Sequence, residues 1–260
     1  MKGKQGILVV ACCFFILSGC VKQEVSPSQK NASSQIKQHA STKQLNYQDQ
    51  DRWELESGDA QSPIDINTSK VISMQDAGEI ELDYGSIVQN ETDNGHTIQV
   101  DDTGTARING RVFNFTQFHF HAPSEHTING KHYPIEAHFV HESQDGRLAV
   151  IGVLFQEGKE NKGFQEVLDH VRRGQGNTAV GTLDITTMIP MNKSYYHYLG
   201  SLTTPPLSEN VEWYVMKELV EVSSEQIKTF QKMYSATNRK IQPLHQRMIL
   251  YHQDEKISSK

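Results

Sequence analysis

Apolar and polar residues alternate through much of the chain between residues 79 and 141, the period of strands with one face buried. From 79 to 115 the runs are short. They are broken by Asp93-Asn94-Gly95, Asp101-Asp102-Thr103-Gly104 and Asn109-Gly110, which suit tight turns, so this stretch reads as a hairpin-rich sheet. Residues 113–121 alternate aromatic and polar side chains, and 135–141 alternate again. Asn129-Gly130-Lys131 signals a turn between them, which predicts an antiparallel pair. Arg147 to Phe155 is nearly continuously apolar, as expected of a strand covered on both faces. Residues 211–220 predict another strand, and Gln61-Ser62-Pro63-Ile64-Asp65-Ile66 a turn into a short one. Helical spacing occurs at Phe164, Val167, Leu168 and Val171, predicting a helix over 162–171 closed by Gly174. A second helix is predicted from Ser224 to Met233, capped by Ser223 or Ser224. Strands dominate and the helices are few and peripheral, so the fold class is mainly β (α+β).

The ends follow a different pattern. Lys2 and Lys4 precede an apolar run from Ile7 to Leu17, which closes in Leu17-Ser18-Gly19-Cys20. The run is short for a membrane span and has the layout of a signal peptide over 1–19. Its ending resembles the bacterial lipoprotein box, in which the cysteine, here Cys20, is acylated and becomes the first mature residue. Residues 20–44 are rich in Ser, Gln, Lys and Asn and read as a lipidated cysteine and flexible tether. The globular domain is expected over 45–253, with 254–260 a polar, frayed tail. The expected location is the periplasmic face of a bacterial membrane, the outer before the inner.

Cys12 and Cys13 would leave with the signal, so the mature chain would keep Cys20 alone and form no internal disulfide. The formal charge of −6 becomes −8 without Lys2 and Lys4, since residues 1–19 contain no acid. That balance excludes nucleic acid as the expected partner and supplies no polybasic patch for a membrane.

The candidate chemistry lies in the predicted pair of strands. Gln117, His119 and His121 share one strand face, and Glu136 and His138 share a face of the next. Same-face neighbours stand roughly 6.5–7 Å apart along a strand, near enough for two imidazoles to lean onto one ion while a facing strand delivers a third. Three His nitrogens suit a catalytic zinc, whereas a structural zinc is closed by four ligands. A His-x-His on a strand is more often only a polar face, and twelve histidines make chance pairs plentiful. Gln117 and Glu136 distinguish this case, because each lies two residues before a candidate ligand and could accept its unused ring N–H. His126 is expected to be a buried structural histidine near Tyr198, and His141 to face away from His138 by parity.

In order, Gln61-Ser62-Pro63-Ile64-Asp65-Ile66, Asn94-Gly95-His96, Gln117-Phe118-His119-Phe120-His121, Ser124-Glu125-His126, Glu136-Ala137-His138-Phe139-Val140-His141, Gly200-Ser201-Leu202-Thr203-Thr204-Pro205-Pro206 and Val211-Glu212-Trp213 resemble the alpha-class carbonic anhydrases over roughly residues 45–250. The resemblance implies a single domain on a large, twisted, mostly antiparallel sheet. It implies one Zn2+ per chain on His119, His121 and His138, and reversible hydration of carbon dioxide to bicarbonate by zinc-bound hydroxide. Thr203 and an ionised Glu125 would gate that hydroxide, and His96 would shuttle the proton. Val140, Val150, Leu202, Thr204, Val211 and Trp213 would line the substrate pocket. A homodimer is compatible with these features. The chain departs from the family in three places. The cysteine pair that often joins the region before Gln61 to the Pro205-Pro206 loop is absent, Tyr47 lacks the usual Trp-Gly-Tyr setting, and Thr237-Asn238-Arg239-Lys240 replaces an Asn-x-Arg-Pro element and is read as structural.

Two other readings stand beside this one. His119-x-His121 followed by Glu125 matches the ligand spacing of cupins, where Glu125 would bind iron, manganese or zinc directly. A catalytically silent relative acting as a zinc carrier or adhesive domain is the second.

Overall fold

The computed structural model describes residues 45–255 apart from 57, 86, 89, 172, 173, 175–177, 179 and 180. The expected signal peptide, Cys20 and tether lie outside the described residues. The first half of the chain forms β1 (Asp65–Ile66), β2 (Ile72–Ser73), β3 (Ile80–Tyr84), β4 (Ile87–Val88), β5 (Asn90–Asp93), β6 (Ile98–Asp101), β7 (Gly104–Ile108) and β8 (Arg111–His121). Then come β9 (Thr127–Ile128), β10 (Ile135–Glu142), β11 (Leu148–Glu157), α1 (Lys162–His170) and β12 (Gly181–Thr182). The last part holds β13 (Tyr195–Ser201), β14 (Glu209–Met216), β15 (Val220–Val222), α2 (Ser224–Met233) and β16 (Leu250–His252). Twelve strands make one mixed sheet whose main path runs β2-β16-β13-β14-β11-β10-β8-β6-β5. Most pairings are antiparallel; β11 with β14 and β15, and β16 with β2, are parallel.

The predicted hairpin at Asn109-Gly110 joins β7 to β8, with both residues at positive φ (46° and 78°) as a two-residue turn requires. Asp102-Thr103 is not a hairpin. Strands β6 and β7 both pair with β8, so the chain only kinks there before continuing along the same neighbour. The turn at Asn129-Gly130 likewise does not join β8 to β10 directly. It closes a side excursion in which β9 pairs in parallel with β1.

The strand expected over 211–220 is split. Leu148 pairs with Val211 but Phe155 with Val220, so the offset along β11 grows from 63 to 65 and two extra residues loop out. Lys217 turns its N–H to Ser194 O (2.9 Å) in that gap. Both helices fall where expected. Asn161 caps α1, which ends at His170 rather than Val171, and Ser223 with Gln226 forms a capping box at α2. Asp254, the first residue of the expected tail, accepts from Lys193 N (2.8 Å) and donates to Ser194 Oγ (2.9 Å), and residues 256–260 lie outside the described residues.

The two sheet faces bury separate clusters. One holds Phe113, Phe115, Phe118, Phe120 and Phe139 together with Phe164 of α1 and Phe230 of α2. Each such side chain is worth roughly 1.5–3 kcal/mol on burial. The other holds Ile64, Val150, Leu154, Tyr198, Val211 and Trp213. Where a cysteine pair is lacking, hydrogen bonds tie the segment before Gln61 to the Pro205-Pro206 loop. Glu56 N donates to Pro206 O (3.0 Å), Ala60 N to Glu209 Oε1 (2.6 Å) and Gln61 Nε2 to Leu207 O (3.2 Å).

Candidate active site

Antiparallel pairing of β8 and β10 puts His138 opposite His119 and Glu136 opposite His121. Ring centroids stand 5.1 Å apart for His119 and His121, 5.2 Å for His119 and His138, and 4.7 Å for His121 and His138. One nitrogen from each ring lies within 4.8 Å of the others. The remaining nitrogens are engaged. His119 Nδ1 donates to Gln117 Oε1 (2.9 Å), His121 Nδ1 to Thr237 O (2.7 Å) and His138 Nε2 to Glu136 Oε1 (2.9 Å). Those bonds leave lone pairs on His119 Nε2, His121 Nε2 and His138 Nδ1.

The donor set fits zinc. His121 Nε2 is buried without a hydrogen-bond partner, a condition that costs about 1–3 kcal/mol and that a cation would relieve. Burial is the main force lowering the pKa of all three rings, His121 to about 4, so they are unprotonated at neutral pH, as metal binding requires. Three donors are also one fewer than closes a structural zinc.

Glu136 holds this arrangement in place. Its Oε2 accepts from Glu125 N and His126 N (both 2.8 Å), and its Oε1 from His126 Nδ1 (2.7 Å) and His138 Nε2. Burial works to raise its pKa, yet His126 and His138 hold it well below the usual carboxylate range. Gly152 faces His138 from β11, and a Cβ there would come within 3.1 Å of Glu136 Oε1. His126 is the buried structural residue expected, 2.7 Å from Tyr198 OH. His141 is also where parity puts it, away from the site, with Nε2 2.7 Å from Tyr84 OH.

Thr203 is buried, and its side chain is near enough to Glu125 to favour the charged carboxylate. Glu125 Oε1 accepts from Arg239 N (2.7 Å), while Oε2 stands 3.7 Å from His121 Nε2 and 3.9 Å from His138 Nδ1. Burial lifts Glu125 to about 7. A cation beside it would favour the charged form.

The apolar residues expected around the substrate do gather here. Val140 pairs with Val150, and Val150 with Trp213, in a row across three strands. The Trp213 ring lies 4.8 Å from that of His138 and its Nε1 donates to Ser201 O (3.0 Å). Val211 is buried in the same cluster, Leu202 packs against it, and half-buried Thr204 follows Thr203.

His96 sits on the turn after Asn94, whose Oδ1 accepts from His96 N (3.2 Å) and Thr97 N (2.9 Å). Its ring is 6.1 Å from that of Tyr47, beside a cavity of about 340 Å³ that Thr237 also lines. Burial first, then nearby His121, pushes His96 down to about 4 in this pose. Tyr47 reaches the site despite its altered sequence setting, with its hydroxyl buried. Two contributors went unrecognised in the sequence: the Thr237 carbonyl, which orients His121, and the Arg239 N–H, which holds Glu125. No local pattern marks either, since each lies more than a hundred residues from its partner.

The cupin reading does not survive the fold, which is an open mixed sheet rather than a double-sheet jelly roll. The profile of the eukaryotic-type carbonic anhydrase family matches residues 48–253. The carbonic anhydrase of Pectobacterium atrosepticum is 39% identical over 203 residues, covering 75% of this chain and 81% of its own. Alpha carbonic anhydrase 7 of Arabidopsis thaliana is 30% identical over 264 residues, covering 92% and 95%. Among solved structures, the alpha-carbonic anhydrase of Thermovibrio ammonificans in complex with the inhibitor sulfanilamide superposes with a TM-score of 0.70 at 44% identity, over 74% of this chain and 87% of that one.

Proposed function

The chain is an enzyme of the alpha-class carbonic anhydrase family, and from that premise we propose that it hydrates carbon dioxide reversibly with one zinc ion held by His119, His121 and His138. The observation that carries this reading is the convergence of three lone pairs on rings whose other nitrogens are all engaged. Zinc on neutral imidazoles keeps its full charge and makes water nucleophilic near neutral pH, the effect for which this enzyme family is the reference example.

The chain's own residues do the rest. Thr203 donates its hydrogen to Glu125, so its oxygen can only accept from the attacking water, which turns a lone pair toward the substrate. Arg239 N keeps Glu125 in place as the acceptor. Val140, Val150, Leu202, Val211 and Trp213 form an apolar wall that takes carbon dioxide without competing for its oxygens. Thr204 stands at the edge of that wall. His96 passes the released proton to buffer. In its half-buried pose it accepts a proton poorly, so exchange requires the ring to leave Tyr47 for water, where its ordinary pKa near 6.5 returns.

The same reading makes the protein an exported lipoprotein anchored through Cys20 on the periplasmic face of a bacterial membrane, supported by the basic, apolar and Leu17-Ser18-Gly19-Cys20 segments. Stopped-flow hydration of carbon dioxide, with and without a chelator and with parallel metal analysis, tests the catalytic reading. One zinc per chain and chelator-sensitive hydration are expected. Bound zinc without hydration would leave the silent zinc-binding reading in its place.

A further inference from the structure

Ser62 hydrogen-bonds Ser201, Tyr198 and Arg239, none of them a candidate ligand or a residue of the substrate wall, yet three hydrogen-bonded paths from the site meet on it. It is fully buried. The first path leads to the metal side. Ser62 Oγ shares a hydrogen bond with Tyr198 OH (2.8 Å), Tyr198 OH lies 2.7 Å from His126 Nε2, and His126 Nδ1 donates to the same Glu136 oxygen that fixes His138. The second leads to the Thr203 loop. Ser201 N donates to Ser62 Oγ (3.1 Å) and Ser62 N donates to Ser201 Oγ (2.9 Å), a two-way clamp two residues before Thr203. The third leaves from the Ser62 carbonyl, which accepts from Arg239 Nη1 (2.7 Å), whose own backbone N–H holds Glu125.

The local fold is shaped around this contact. A Cβ on Gly200 would fall 2.1 Å from Ser62 Oγ, so only glycine admits the hydroxyl. The pairing of β13 with β14 shifts register between Gly200 and Ser201, the point at which Ser62 takes hold of the strand. Beyond it the loop closes through Leu202 N to Ser208 O (2.9 Å) and Leu207 N to Thr204 O (3.0 Å). Tyr198, His126, Glu136, His138 and Ser201 are all buried. Water cannot replace a lost partner there, and a change at one member passes to the next.

We infer that Ser62 is a positioning residue that couples the orientation of His138 to the placement of the Thr203 loop. This rests on the proposed zinc site. Removing the hydroxyl strands Ser201 N–H and loosens Tyr198, so both branches relax together. A merely structural serine would lower stability without linking metal retention to turnover.

The test uses the zinc-loaded chain and the variants Ser62→Ala, Tyr198→Phe and Thr203→Ala, singly and as the pairs containing Ser62→Ala. Zinc release into excess chromogenic chelator is timed, the visible spectrum of the cobalt-loaded chain is recorded, and turnover is measured. Direct partners of a metal ligand are worth roughly 10–100-fold in metal affinity, so a group three steps further out is expected to speed release about fivefold. Ser62→Ala should also shift the cobalt spectrum. Its effect on release should largely vanish once Tyr198 is Phe, and its effect on turnover once Thr203 is Ala, because each pair cuts one path twice. Additive effects in both pairs, or a Ser62→Ala protein with wild-type release and spectrum, would overturn the inference. If Ser62→Ala does not fold, Tyr198→Phe decides alone: unchanged zinc release sinks the coupling. Release and spectrum need only metal binding, so a wild-type chain that binds zinc without hydrating carbon dioxide would refute the proposed function and leave this inference to its own result.

Discussion

Replacing Glu136 by glutamine probes the site at the residue that receives the most donors. The two Glu136 oxygens accept four hydrogens, two from backbone N–H groups at 2.8 Å and two from His126 and His138 at 2.7 and 2.9 Å. A glutamine brings one acceptor oxygen and one NH2. Whichever way it turns, two buried donors then face another donor. At about 1–3 kcal/mol for each unsatisfied buried group, the metal-free variant should lose roughly 2–6 kcal/mol of stability. If the amide turns its NH2 to the rings, His138 is driven to the opposite tautomer, with hydrogen on the nitrogen that should face the metal. Zinc affinity should then fall about 10–100-fold, or roughly 1.4–2.8 kcal/mol. Urea unfolding of the metal-free chain and zinc titration against a competing chelator read the two effects separately. A Glu136→Gln protein with stability within about 0.5 kcal/mol and zinc affinity within about twofold of wild type would refute the reasoning, since ordinary surface changes cost no more than that.

Four further outcomes are expected. His119→Ala or His138→Ala should abolish both zinc retention and hydration, measured by metal analysis and stopped flow. His96→Ala should lower the maximal rate in dilute buffer and recover with added imidazole; indifference to buffer would remove His96 from the proton path. Burial chiefly pushes His96, His121 and His141 down to about 4 in the metal-free fold. The unfolded chain therefore binds more protons below about 6.5, and stability should fall as pH drops from there toward 4. Glu125, raised to about 7, opposes this with a single proton. The apo melting temperature against pH checks the sign. Cys20→Ser should move the protein from the membrane fraction to the soluble fraction on fractionation of expressing cells.

The strands and the histidine triad were legible because their signals are local. Period two put His119 with His121 and His138 with Glu136, and the pairing of the two strands needed only their alternation and the intervening chain. Gln117 and Glu136 were readable as partners because each lies two residues before its histidine. What escaped notice acts across the chain. Thr237 meets His121 across 116 positions, Arg239 meets Glu125 across 114 and Ser62 meets Ser201 across 139, and no spacing rule reaches that far. The split between β14 and β15 also left no mark, since two looped-out residues can keep an apolar pattern running. For His96 the residue type suggested a neutral-pH shuttle, but its pKa follows from the packing of Tyr47 and the nearness of His121, which are facts of the fold.

Diffraction from a zinc-loaded crystal on both sides of the zinc absorption edge tests the central claim most directly. A single anomalous peak is expected about 2.0–2.1 Å from His119 Nε2, His121 Nε2 and His138 Nδ1, with solvent as the fourth ligand. A peak elsewhere, or a Glu125 oxygen in that fourth position, would contradict it.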